Sequence, residues 1–139
     1  MNAEKAKELL SYHSCRHMDI DSPKWANGFL GSLRPFKGEL IESNFTEVME
    51  CLKALQGEFD GSTVDREILA NIIGIIHSAR AWASPDGMLG SNHLLSEAQT
   101  ARLNLWTDII EEALMWLLDG VPEEAFSSYQ MYLDGEFEV

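Results

Sequence analysis

The sequence predicts an all-α, single-domain bundle of about five helices, with two long ordered loops at about 18–38 and 84–95. Three observations carry that expectation. Apolar residues recur every three or four positions in five separate stretches, and no stretch alternates apolar with polar as a half-buried strand does. A length of 139 residues suits one core, since domains usually hold about 100–150 residues. With 45% hydrophobic residues, the chain has the side chains to fill that core, which a disordered acidic chain lacks.

The first helix is expected over about Ala3–Arg16, with Ala6, Leu9, Leu10 and His13 on one face. The second, about Glu39–Gln56, carries the straight seam Ile41, Phe45, Val48, Leu52 and Leu55. Gly57 and Gly61 bracket a turn, after which Ser62 is placed to cap the third helix with Asp65 returning the bond. This helix, to about Ala83, is apolar round much of its circumference and is therefore assigned the centre of the bundle. Gly74 inside it costs helix propensity, which a close helix crossing would offset. Ser96 and Gln99 form the capping pair of a fourth helix, buried through Leu103, Trp106, Ile110, Ala113, Leu114 and Leu117 and ended by Gly120. Pro122 suits the first position of a fifth helix, packed through Ala125, Phe126, Tyr129, Tyr132 and Leu133. No internal repeat or low-complexity tract is expected.

Loops as long as the two between these helices are often functional. The first carries Trp25, Phe29, Leu30, Leu33 and Phe36, which are expected to pin it onto the bundle, and Ser22-Pro23 suits a brief helical turn within it. The second contains Ser84-Pro85-Asp86-Gly87 and Gly90-Ser91-Asn92-His93.

Charge excludes some partners. The 23 acidic and 10 basic residues give a net charge of −13, which disfavours both a nucleic-acid backbone and an anionic membrane. The acidity is uneven: residues 1–38 sum to +2, residues 39–102 to −6, and residues 103–139, which hold no Lys or Arg, to −9. The N-terminus lacks the apolar core of a signal peptide, and Ile68–Ala83 is too short and too interrupted for a bilayer span. Two cysteines, Cys15 and Cys51, make neither a disulfide scaffold nor a zinc knuckle, so a cytoplasmic protein with reduced thiols is expected.

Three constellations could carry chemistry. His13 and His17 are four apart, so on one helix face they could chelate a divalent transition metal, with two further ligands from elsewhere. A half-buried, hydrogen-bonded His13 continuing the apolar stripe is the simpler account, and no cofactor is then required. Arg16, Arg34, Arg80 and His93 could receive an anion or substrate between the two loops. Against this, Arg80 paired with Asp86 would merely lock a loop. Asp108, Glu111, Glu112, Glu123 and Glu124 present an acidic surface to a basic partner. Phosphate-binding glycine loops, nucleophile elbows and calcium loops are absent.

In size, helical content and acidity the chain is similar to bacterial immunity proteins, which block a basic nuclease by charge complementarity; the likeness is one of size and charge. It implies a protein-binding or inhibitory module whose acidic face meets a basic protein. The alternatives are a metal protein or small enzyme with its site between the loops, and a homodimer built on the central helix in place of a monomer.

Overall fold

A computed structural model describes all residues, Met1–Val139, and is helical without a strand. Four long helices make the body: α1 (Ala3–His13), α3 (Glu42–Ala54), α4 (Arg66–Ala83) and α6 (Glu97–Leu118). A shorter α7 (Ser127–Leu133) completes the expected five, while single-turn helices α2 (Pro23–Ala26) and α5 (Met88–Ser91) lie within the two long loops. No helix is long and apolar enough to cross a membrane.

Local chemistry sets the boundaries. Asn2 caps α1 by accepting the Lys5 N–H at 2.8 Å. The helix stops three residues earlier than expected, because Cys15 adopts a left-handed φ of 58° and the N–H groups of Arg16 and His17 turn back to the Ser11 carbonyl. Ser22 and Pro23 start α2 as expected. The reciprocal bonds of Ser96 and Gln99 close a complete capping box on α6.

The start of α4 departs from expectation. Asp65, not Ser62, is the cap, and its carboxylate accepts the Glu67 N–H at 2.8 Å. Asp65→Ala is expected to cost about 1 kcal/mol and Ser62→Ala almost nothing, as read from paired urea unfolding curves. A similar shift occurs at the C-terminal end. Pro122–Glu124 form a 3₁₀ turn, and the α-helix resumes only at Ser127.

Helix α4 packs against α1, α5 and α6; α1 also packs on α3, and α6 on α3 and α7. Phe45 of α3 lies at the heart of the core, stacked on Trp106 at 5.3 Å and met edge-on by Tyr129 and Tyr132. Burial of a side chain of this size contributes about 2–3 kcal/mol, and the ring geometry adds to it. Tyr132 accepts the Trp106 indole N–H and donates to Glu42, which fastens α7 across the α3–α6 seam.

Burial of α4 is one-sided. Ile68, Ile72, Ile75, Ile76 and Ala79 are buried, but Ile73 is 52% exposed and a Cβ added at Gly74 would meet nothing within 4 Å. The expected close crossing at Gly74 is therefore absent, and one face of the central helix looks outward.

Both long loops are ordered by one device. Gly28-Phe29-Leu30-Gly31-Ser32 in the first matches Gly87-Met88-Leu89-Gly90-Ser91 in the second, a short internal repeat where none is expected from periodicity. Leu30 and Leu89 are both buried. A Cβ on Gly31 would overlap the carbonyl oxygen of Trp25, and one on Gly90 that of Ser84. Each motif folds back against the chain that leaves the preceding long helix, which explains why Phe29, Leu30 and Leu33 are core residues.

Candidate functional site

His13 and His17 do not form a chelating pair. Because α1 ends at His13, the two rings leave the chain on different courses. His17 stacks on Tyr12 at 3.8 Å, and its Nδ1 accepts the Asp19 N–H. His13 is 3% exposed and wholly engaged: Nδ1 lies 2.9 Å from the Phe29 backbone nitrogen and Nε2 2.8 Å from Glu47 Oε1. A backbone N–H can only donate, so Nδ1 is the acceptor and Nε2 carries the proton that Glu47 receives. Neither nitrogen is free to bind a metal or to act as a general base. Nowhere do three His, Cys, Asp or Glu side chains converge to hold an ion.

The four residues proposed for an anion are dispersed. Arg16 donates to Asn71 Oδ1 at 2.9 Å and to Glu67 Oε2 at 2.8 Å, across the α1–α4 contact. Arg34 lies over the Trp82 ring, 5.7 Å from its centre. Arg80 and His93 do border one cleft of about 680 Å³, between the second loop and the start of α6. Arg80, however, is committed to carboxylates other than Asp86: it binds Asp108 at 2.6 Å and Glu111 at 2.7 and 3.1 Å. The expected loop lock is instead a clamp between α4 and α6.

The acidic residues are partly gathered. Asp108, Glu111, Glu112 and Asp119 follow one another along the outward side of α6, around exposed Met115 and Leu118. Glu123 and Glu124 lie on the 3₁₀ turn beyond α6, apart from this row. Beside the row, the outward faces of α4 and α6 enclose a groove of about 640 Å³ whose walls include Ile73, His77, Ala81, Leu114 and Met115. Glu111 and Met115 border both depressions, so the surface is continuous. Met115 is 62% exposed, Leu118 51% and Ile73 52%. Ile73 is not legible as a surface residue in the sequence, because it belongs to the wide apolar arc of α4 that reads as buried. A helical wheel does place Met115 four residues from Glu111 and three from Glu112, and Leu118 three beyond Met115, on the wet side.

Three carboxylates titrate low: Asp65, through the backbone N–H of Glu67 that it caps, and Glu111 and Glu47 through side-chain partners. The hydrogen bond from Arg80 holds Glu111 below the usual carboxylate range, and that from His13 does the same for Glu47. A carboxylate whose folded pKa is depressed adds stability that is present above its unfolded value, about 4.3, and is lost as pH falls through the folded value. Glu111→Gln should therefore flatten the decline of the urea midpoint below about pH 4 while changing its slope little at neutral pH. An unchanged acid limb would show that the Arg80 clamp contributes nothing, as many exposed ion pairs do.

No protein-family model, curated protein or solved structure matches the chain.

Proposed function

We propose that the protein is a binding or inhibitory module that docks a basic amphipathic helix on the α4–α6 face. The observation that carries this reading is the outward apolar strip of Ile73, Met115 and Leu118, set within the carboxylates Asp108, Glu111, Glu112 and Asp119. Exposed large apolar side chains grouped together and rimmed by charge are a common mark of an interaction surface. An amphipathic helix fits a helix-lined groove, with its apolar side chains seated between α4 and α6 and its flanking Lys and Arg opposite the acidic row. No sheet edge exists that could instead receive an extended strand.

Charge argues for a foreign partner over a second copy. The whole segment 103–139 lacks Lys and Arg, so a symmetric dimer through this face would bring two acidic rows together. The same field steers a basic partner and raises its association rate.

The test is titration with a synthetic helical peptide that has one apolar face flanked by Lys and Arg, beside a scrambled peptide of equal charge. The amphipathic peptide should bind more tightly, lose affinity as salt rises, and weaken about tenfold or more with Met115→Asp. Glu112→Gln should mainly slow association. Equal binding of both peptides, or binding indifferent to Met115→Asp, would overturn the docking reading. So would a micromolar dimer that the same substitution dissociates.

A further inference from the structure

A second cleft, of about 600 Å³, opens within the first loop and the segment leading into α3, well apart in sequence from the α4–α6 face. Arg34 and Lys37 border it, and neither has a carboxylate within ion-pairing distance, although the chain holds 23 acidic residues. Glu39 lines the same cleft and pairs with neither. The guanidinium carbon of Arg34 lies 5.7 Å from the centre of the Trp82 ring, within cation–π range, and carries no ion pair. The clefts that Arg80 and Lys24 border have no second Lys or Arg, whereas this one has two cations without a carboxylate partner.

The wall of the cleft contains a more specific sign. Trp25 is one of its lining residues, and Trp25 Nε1 is the single buried side-chain nitrogen or oxygen in the protein without a hydrogen-bond partner. Buried indole N–H groups ordinarily find an acceptor, and one left without calls for an explanation. Nε1 itself has no surface open to the cleft, so an acceptor reaches it only when the cleft wall shifts as a ligand enters. The remaining wall includes Pro35 and Ile41, which offer apolar contact to a ring or short chain.

We propose that this cleft binds a small organic anion, with its carboxylate or phosphate group between Arg34 and Lys37 and its apolar part against Trp25, Pro35 and Ile41. A phosphate held bidentately by Arg34 keeps a third oxygen for Lys37, whereas a carboxylate spends both of its oxygens on the fork. The site lies in the only part of the sequence with net positive charge, so the general acidity of the chain does not repel such a ligand locally. It is independent of the helix-docking face, and either can fail without the other.

Because the protein has only four tryptophans, its indole N–H resonances provide the readout, with that of Trp25 assigned through Trp25→Phe. The probes are phenyl phosphate, benzoate, inorganic phosphate and acetate. Phenyl phosphate or benzoate should shift the Trp25 resonance saturably and more tightly than its inorganic or methyl counterpart; the better of the two tells phosphate from carboxylate. Arg34→Gln and Lys37→Gln alter exposed side chains, so the fold should persist, and each should weaken binding about tenfold. Arg66→Gln, which removes an exposed cation elsewhere, should leave binding unchanged. The proposal is overturned if no probe gives a saturable shift up to about 10 mM, or if the shift persists in the Arg34→Gln/Lys37→Gln double variant.

Discussion

Gly90→Ala should destabilise the protein by at least about 3 kcal/mol, and Gly31→Ala by a similar amount. The added methyl at either site falls on a backbone carbonyl oxygen, that of Ser84 or of Trp25, which cannot rotate aside as a side chain can. The loop must lift from the chain beneath it, and buried Leu89 or Leu30 is drawn out with it. The same substitution at Gly74 should have the opposite sign. There the new methyl meets nothing within 4 Å, and an alanine in mid-helix is favoured over glycine by about 0.5–1 kcal/mol. Urea midpoints for the three variants decide the matter. A Gly90→Ala variant as stable as Gly74→Ala would mean that helix propensity, not contact, governs these sites.

His13→Ala is expected to cost about 3 kcal/mol, well beyond the effect of Glu47→Gln. The alanine leaves a void at a 3% exposed site and strands the Phe29 N–H, which then lies buried without an acceptor. Glutamine at position 47 keeps an oxygen in reach of the His13 Nε2 proton, so its cost should stay below about 1 kcal/mol. Hydrogen exchange supplies a local readout: the Phe29 amide should lose protection in His13→Ala and keep it in Glu47→Gln. If the two variants prove equally stable, the imidazole does not hold the first loop in place.

What could be read in the sequence was mostly local. Helical periodicity located all five main helices, and the Ser96–Gln99 box marked the start of α6 because its two bonds join residues three apart. Ser62 and Asp65 show the limit of that reasoning: both are residues that cap helices, and only the backbone after Val64 decides between them. The end of α1 is not legible in the sequence because nothing in Ser14-Cys15-Arg16 signals a left-handed residue, a role more often filled by glycine.

Pairings over longer separations were not legible. Glu47 stands 34 residues from His13, and Glu111 stands 31 from Arg80. No spacing rule selects these two from 23 carboxylates. Asp86 was the natural choice for Arg80 only because it is near in the chain. The acidic row on α6 could be anticipated from composition, but the apolar strip inside it required knowing which face of α4 is left bare. Trp25 could not be singled out from the other tryptophans until the position of its N–H was known.

The repeated glycine motif also bears on how the chain reaches its fold. In the first half, Leu30 and Phe29 bond back to His13, the last residue of α1; in the second, Gly90 closes on Ser84, the residue after α4. Each closure spans fewer than about 20 residues, so its chain-entropy cost is small and nearly independent of the rest of the molecule. Two helix–loop–helix halves can thus form their corners separately, leaving the α1–α4 and α3–α6 contacts as the long-range step. Corners that are local in sequence form early because little chain entropy opposes them. Glycines that serve close packing in the finished protein would then also set the order in which its parts assemble.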